Sequence, residues 1–277
     1  MKNRLLSSAI LIGFVVTCVF ADSLLRSDLP SCLLLALFLI GGCLEFHALT
    51  LRSNNRLFIT TLLVFTPIFL LLTRVDILHG WRYAAIAGSL VFFAVLILQQ
   101  CAKKDPRHGT INLSLTVFAF IYIVVLGSFL YRIRLENDGL FLVIYLIATA
   151  KITDTGALLS GMFFGRHALI PWISPAKTVE GLIGGLLAAT LFAFVCNQYG
   201  GKFLSAGQAL SFGLIIGVAA TAGDLFESMI KRDAGVKDSG QLAPGLGGVL
   251  DIIDSLLLSA PVGYFFIVVA RGGLLPY

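Results

Sequence analysis

Residues 223–255 read GDLFESMIKRDAGVKDSGQLAPGLGGVLDIIDS and place nine charged side chains between two apolar segments of membrane-spanning length. Residues 210–222 before this stretch and residues 256–270 after it are almost wholly apolar. A charged side chain within a transmembrane helix costs about 2.5–3.5 kcal/mol on insertion scales. A chain that keeps so many charges at one such place is expected to use them, so the stretch is predicted to carry the functional site.

Helical spacing puts the charged side chains of this stretch on shared faces. The first helix carries on one face, at spacings of three, four and seven residues, Asp224, Glu227 or Ser228, and Lys231. On the second helix Asp251 and Asp254 are three residues apart and also share a face. Two helices can therefore direct carboxylates toward a common point, with a glycine-rich loop that carries lysines between them.

The composition of the whole chain predicts an all-α, polytopic integral membrane protein. Of its 277 residues 58% are hydrophobic and 13% are charged, against roughly 25% charged residues in an ordinary soluble domain. The mean hydropathy is +0.95. We expect one integral membrane domain over 1–277, with scaffold helices in 1–135 and catalytic helices and cytoplasmic loops in 139–277.

Apolar segments long enough to cross a bilayer recur along the chain. The sequence predicts about nine spans, at 5–21, 31–50, 57–73, 83–99, 111–131, 139–162, 180–199, 206–230 and 247–270. The first is read as an uncleaved span, with a signal peptide as the alternative.

The distribution of basic residues predicts the orientation of these spans. Most of the 20 Lys and Arg residues fall on one side of the membrane if the N-terminus is cytoplasmic and the C-terminus is outside. The loops 163–179 and 231–246 are then cytoplasmic. The net charge of +5 is explained by this topology, so no nucleic-acid partner is expected.

A second charged segment runs from Lys151 to Gly181. Lys151 and Asp154 are three residues apart in an apolar span, so they form either a buried ion pair or part of a polar cavity. Farther along, Thr178 or Ser174 can cap a new helix, and Lys177 with the free N–H groups of that helix would make an anion site.

Glu45 is an isolated carboxylate within the second predicted span, beside His47. It is either a functional intramembrane carboxylate or a charge that lies near the cytoplasmic interface, shortly before Arg52. The sequence leaves both alternatives open.

Together the two charged segments predict phosphate chemistry on a divalent metal. Carboxylate oxygens suit Mg²⁺, and the candidate ligands are Asp224, Asp251 and Asp254. Cations suited to neutralising a polyphosphate are Lys177, Lys231, Arg232 and Lys237. Glycines that allow close approach of backbone to phosphate are Gly245, Gly247 and Gly248. The sequence contains no Walker-type GxxxxGK[ST] loop, so a P-loop ATPase is not supported.

The second half of the chain resembles the phosphatidate cytidylyltransferase family, also called CDP-diacylglycerol synthase. The C-terminal signature is matched, with its spacing, by Ser228, Lys231-Arg232, Lys237-Asp238, Pro244-Gly245, Gly247-Gly248, Asp251, Asp254 and Ser255. Upstream motifs are matched by Ser174-Pro175, Lys177-Thr178, Glu180-Gly181, Gly223-Asp224-Leu225 and Glu227-Ser228. Two positions depart from the pattern, since Leu246 stands where the family has His and Ile252 where it has Arg.

The resemblance implies an enzyme that transfers CMP from CTP to phosphatidate, giving CDP-diacylglycerol and pyrophosphate at the cytoplasmic face of an inner membrane. It implies one or two metal ions, Mg²⁺ among them. The implied catalytic residues are Lys177, Asp224, Lys231, Arg232, Lys237, Asp238, Asp251 and Asp254. The implied substrate-binding residues are Asp154, Ser174, Thr178, Glu180, Ser228, Gly245, Gly247 and Gly248. Whether the protein forms a homodimer is left open.

Three alternatives compete with this interpretation. One is a related CTP-dependent enzyme that acts on another membrane lipid, and a second is a non-catalytic relative, suggested by Leu246 and Ile252. The third is a transporter whose carboxylates bind the cargo. A transporter predicts charges near mid-membrane in repeat-related helices, whereas here they gather at helix ends with lysine-bearing loops.

Overall fold

A computed structural model of the chain describes residues 21–22, 24–25, 27–81, 83–104, 106–240 and 247–272. Its helices are α1 Leu29–Arg52, α2 Ile59–His79, α3 Ala84–Ala102, α4 Gly109–Ala119, α5 Leu126–Arg134, α6 Gly139–Phe164, α7 Val179–Gly200, α8 Ala206–Asp233 and α9 Val249–Ala270. A π-helical turn, Phe120–Val125, joins α4 to α5. The two strands are β1 Ala168–Ile170 and β2 Ser174–Thr178.

The described residues form eight helical segments that are long and apolar enough to cross a membrane, with α4, the π-helical turn and α5 counted as one. They coincide with the eight later spans that the sequence predicts, so the prediction of a polytopic helical membrane protein is confirmed. The first predicted span, 5–21, lies outside the described residues except for its last position. The exception to the all-α prediction is the short antiparallel hairpin of β1 and β2, which pairs Ala168 with Thr178.

The chain divides into two compact units. The first comprises Met1–Asn137 and Ala234–Ile253, and the second comprises Asp138–Asp233 and Asp254–Tyr277. The core of the first unit is aromatic and branched: the rings of Phe92 and Phe120 stack with centroids 4.1 Å apart, and Phe69 meets Phe120 edge to face. Helix α2 begins where the Phe58 N–H donates to the Thr116 hydroxyl.

Carboxylate–arginine pairs stabilise one end of the first unit. Asp28 accepts two hydrogen bonds from the Arg74 guanidinium, at 2.8 and 3.0 Å, and a third from the Tyr131 hydroxyl. The buried Asp22 accepts from Arg134 at 2.7 Å. The pairing with Arg74 lowers the pKa of Asp28 to about 2.

Glycines allow the helix backbones of the second unit to pack closely. A Cβ on Gly156 of α6 would lie 2.7 Å from the Ala188 side chain of α7, and one on Gly185 would lie 2.7 Å from the Thr153 carbonyl oxygen. Small residues at such contacts are the usual way in which transmembrane helices approach each other. This packing fixes the positions of the charged ends of α6, α7 and α8.

Candidate active site

Lys177 and Asp224 form an ion pair within the second unit. Lys177 lies on β2, and its Nζ is 2.6 Å from the Asp224 Oδ2 on α8. Both side chains are about a quarter exposed, at 26% and 28%. The hairpin therefore presents a lysine to the carboxylate of Asp224, and the Lys177 Nζ itself is buried.

Lys151 connects two further carboxylates of the same unit. Its Nζ is 3.6 Å from Asp154 Oδ2 and donates a hydrogen bond of 2.9 Å to Ser255 Oγ. The neighbouring Asp254 is buried and interacts electrostatically with Lys151, Asp224 and Asp154. The ion pair of Lys151 and Asp154 is thus part of a larger polar cluster, and its members are 40% and 34% exposed.

We call these five side chains the carboxylate–lysine cluster: Lys151, Asp154, Lys177, Asp224 and Asp254. Within the described residues of the second unit, the cluster contains three carboxylates and two ammonium groups. Its formal charge is therefore −1. Such an excess of negative charge in a partly buried place favours binding of a cation.

Close backbone contact brings α8 and α9 together at this cluster. A Cβ on Gly223 would lie 2.5 Å from the Asp254 carbonyl oxygen, so no larger residue fits there without a shift of backbone. Gly223 directly precedes Asp224, so this close contact holds Asp224 near the backbone of Asp254. The sequence motif Gly-Asp-Leu contains this glycine for a steric reason.

The predicted capping residue of α7 is confirmed. Thr178 occupies the N-cap position, and its hydroxyl accepts a hydrogen bond of 3.1 Å from the Gly181 N–H. Ser174 is instead the first residue of β2, opposite Ile170. The extended strand ends where the helix begins, which orients Lys177 one residue before the cap.

Glu180 organises the entry to the hairpin. Its Oε2 accepts from the backbone N–H groups of Arg166 and His167 at 3.0 and 3.2 Å, and its Oε1 lies 2.6 Å from His167 Nδ1. The sequence interpretation assigned Glu180 to substrate binding. The structure gives it contacts that hold the hairpin instead, and a direct contact with substrate stays a prediction.

The helical face predicted on α8 is present in the structure. Ser228 Oγ lies 3.5 Å from Asp224 Oδ1, and Lys231 pairs with the fully buried Glu227 one turn earlier. Arg232 donates from Nε to the Ile173 carbonyl oxygen at 3.1 Å, in the turn of the hairpin. The two cations thus have protein partners, and their role as phosphate clamps stays a prediction.

Lys237, Asp238, Gly247 and Gly248 belong to the first unit. Lys237 and Asp238 are exposed. Gly247 has a φ of +78°, a backbone conformation that favours glycine. Gly248 donates its N–H to Asp251 Oδ2 at 2.7 Å. Gly245 and Leu246 lie outside the described residues.

Asp251 is held at the start of α9 by backbone and hydroxyl groups. Besides Gly248, its Oδ2 accepts from the N–H of Ser239 at 3.0 Å and from the Ser239 hydroxyl at 2.8 Å. Glu45 of α1 accepts at the same place from the N–H groups of Val249 and Leu250. Sequence reasoning singled out Glu45 only as a charge in a span, because its partners are more than 190 residues away along the chain.

The donor chemistry of the site fits a hard divalent cation. Within the residues that the structure describes, no three His, Cys, Asp or Glu side chains form a ready-made metal-binding group. Mg²⁺ is commonly held by only one or two carboxylates together with phosphate oxygens of the substrate. Asp224 and Asp254, within a cluster of net negative charge, provide such a pair of carboxylates.

Residues 2–270 match the model of the cytidylyltransferase family. A phosphatidate cytidylyltransferase of Haemophilus influenzae is 33% identical over 289 residues, which covers 96% of this chain and 98% of the relative. One of Thermotoga maritima is 30% identical over 281 residues, covering 98% of each chain. An uncharacterized protein YnbB of Escherichia coli is 44% identical over 187 residues, covering 64% of this chain and 61% of the relative.

Proposed function

This chain belongs to the cytidylyltransferase family, and we propose that it transfers the cytidylyl group of CTP to phosphatidate. The products are CDP-diacylglycerol, a precursor in phospholipid biosynthesis, and pyrophosphate. The near full-length similarity to two phosphatidate cytidylyltransferases supports the substrate pair. The observation that carries the proposal is the carboxylate–lysine cluster, three of whose members, Lys177, Asp224 and Asp254, belong to the matched motifs.

In the proposed reaction, a phosphate oxygen of phosphatidate attacks the α-phosphorus of CTP. The new P–O bond forms as the bond from the α-phosphorus to the oxygen bridging it to the β-phosphorus breaks, and that oxygen leaves with pyrophosphate. The attacking phosphate is already anionic, so no strong general base is required, and Leu246 in place of His is compatible with turnover. Positioning and charge neutralisation then supply most of the rate enhancement.

The residues of the cluster have distinct roles in this proposal. Lys177, beside Asp224, binds a phosphate of CTP, and Lys151 holds the Asp154 and Asp254 side of the cluster in place. Asp224 and Asp254 are proposed to hold Mg²⁺. Asp251 is a third candidate ligand, which the sequence motif alone suggests. When bound, Mg²⁺ would neutralise charge on the phosphates and the leaving pyrophosphate.

The proposal places the protein in a bacterial inner membrane with the reaction on the cytoplasmic side. The support is the predicted excess of Lys and Arg in the loops 163–179 and 231–246 and in the other segments on that side. CTP is a soluble cytoplasmic nucleotide, whereas phosphatidate is a bilayer lipid, so a site at the cytoplasmic ends of spans is accessible to both. A homodimer remains an open prediction.

The decisive experiment is an assay of the purified protein in detergent with phosphatidate, radiolabelled CTP and Mg²⁺. Chromatography should detect CDP-diacylglycerol, and both EDTA and the Asp251→Asn substitution should abolish its formation. Product that persists with EDTA would contradict the role of the metal. No product from folded protein, beside an active reference enzyme, would contradict the assignment of phosphatidate, and polyprenol and archaeol-type acceptors would then be assayed in its place.

A further inference from the structure

Glu45 anchors the start of α9 from another transmembrane helix. Its Oε1 accepts the Val249 N–H at 2.7 Å, and its Oε2 accepts the Leu250 N–H at 2.8 Å. The first N–H groups of a helix have no partner within the helix and need an acceptor when they are buried. One carboxylate of α1 therefore satisfies two of them at once, and the positive end of the α9 dipole stabilises its charge.

Ser239 links Glu45 to Asp251. The Ser239 hydroxyl lies 2.8 Å from Glu45 Oε2 and 2.8 Å from Asp251 Oδ2. A hydroxyl has a single hydrogen to donate, so it bonds one carboxylate while it contacts the other. The Ser239 N–H also donates to Asp251, at 3.0 Å. The orientation of Asp251 consequently depends on where Glu45 holds Ser239 and the first turn of α9.

The space around the Glu45 carboxylate leaves little freedom of movement. A Cβ on Gly240 would lie 2.5 Å from Glu45 Oε1, and one on Gly248 would overlap Oε2. The absence of a side chain at these two glycines therefore leaves the space that the Glu45 carboxylate occupies. Close backbone packing of this kind fixes a side chain more firmly than hydrogen bonds to mobile side chains would.

We propose that Glu45 is a positioning residue for the reaction, which acts on Asp251 through Ser239 and the first turn of α9. This inference rests on the proposed function, in which Asp251 is a candidate metal ligand. Removal of a group that hydrogen-bonds to a metal ligand and orients it typically lowers metal affinity or activity by about 10–100-fold. A helix cap of purely structural importance would alter stability without a selective change in turnover.

The principal test is Glu45→Gln, which keeps the shape of the side chain but replaces one acceptor oxygen by a donor group. We expect kcat to fall about 10–100-fold and the Mg²⁺ concentration for half-maximal activity to rise, while the KM for CTP changes less than about threefold. Ser239→Ala should show the same pattern. The double variant should be no worse than the more impaired single variant, because both act on the same carboxylate.

The matched control is Gly207→Ala, since a Cβ at Gly207 meets nothing within 4 Å. This variant should retain wild-type kinetics and thermal stability. Wild-type kcat in Glu45→Gln, or a loss in the double variant equal to the product of the two single losses, would overturn the inference. A loss of kcat that parallels the fall of the thermal midpoint across all variants would overturn it as well.

Hydrogen exchange of the amides 247–252 separates this inference from the proposed function. Exchange there should be faster in Glu45→Gln than in the wild type or Gly207→Ala, whatever the substrate. If the wild type makes no CDP-diacylglycerol, the proposed function fails and exchange alone decides about Glu45. Faster exchange confined to these amides supports the anchor, and unchanged exchange overturns it.

Discussion

Two sets of charged side chains in this protein differ in how completely they are paired. In the first unit, as far as it is described, Asp22, Asp28 and Asp76 pair with Arg134, Arg74 and Arg132. Each of these three carboxylates has its own guanidinium, and Asp28 accepts a further bond from Tyr131. Arg binds a carboxylate through a planar fork of donors, which suits a permanent structural contact.

The carboxylate–lysine cluster of the second unit has the opposite character. Its three carboxylates share two lysines within the described residues, and Lys151 and Asp154 are more than a third exposed. Lysine is a compact point charge on a flexible stem, so it can exchange a carboxylate partner for a phosphate. We infer from this difference that the balanced arginine pairs stabilise the fold, whereas the unbalanced lysine pairs can exchange a partner for a ligand.

The strongest test of this comparison is Asp224→Asn. Loss of a proposed metal ligand and of the Lys177 partner should lower kcat/KM by about 10³-fold. Because the Asp224 side chain is 28% exposed, the thermal midpoint in detergent should remain within a few degrees of the wild type. Assay of CDP-diacylglycerol and a melting curve on the same preparation measure both quantities. A collapse of stability with proportionate loss of activity would show that this pair is structural too.

Lys177→Met should have the second largest effect. The substitution keeps an unbranched chain but removes the charge that we assign to a phosphate of CTP, so kcat/KM should fall about 10²-fold. Lys103→Met is the control, because Lys103 is exposed and its ammonium lies over the ring of Phe58, 4.0 Å from the ring centroid. That variant should keep wild-type kinetics. Equal losses in the two variants would refute a specific role for Lys177.

The membrane spans were predictable from the sequence because uninterrupted apolar length is a local property. The hairpin of β1 and β2 was not, since its strands have three and five residues and no alternating pattern. Its position depends on distant contacts, such as the bond from Arg232 to the Ile173 carbonyl oxygen. A hairpin this short is stabilised by its tertiary partners, which a local pattern does not contain.

The candidate site was predictable in its residue types but only partly in its contacts. Spacing on α8 correctly placed Lys231 one turn after Glu227, and the same reasoning found the pair of Lys151 and Asp154. The contact of Lys177 with Asp224 and the anchoring of α9 by Glu45 join elements far apart in the sequence. Helical periodicity gives the direction of a side chain relative to its own helix and contains no information about the partner.

Asp28→Asn should produce the converse of the active-site variants. Arg74 would lose its carboxylate, and the free energy of unfolding should fall by roughly 2 kcal/mol, because the pair is partly buried. The kcat for CDP-diacylglycerol formation should stay within about twofold of the wild type. Thermal melting in detergent measures the first quantity. Lost turnover with unchanged stability would remove the distinction between the two sets of charges.

The pH dependence of stability gives the smallest and most specific effect. The pKa of Asp28 is lowered to about 2 in the folded protein, chiefly by its hydrogen bonds from Arg74, from an ordinary value of 3.8. A lowered folded pKa means that the unfolded chain binds the proton first as pH falls. The stability from this pair is therefore fully present above pH 4 and is lost between about pH 4 and pH 2. Melting curves across that window should show the wild type approaching Asp28→Asn, and a constant difference between the two would contradict the assignment.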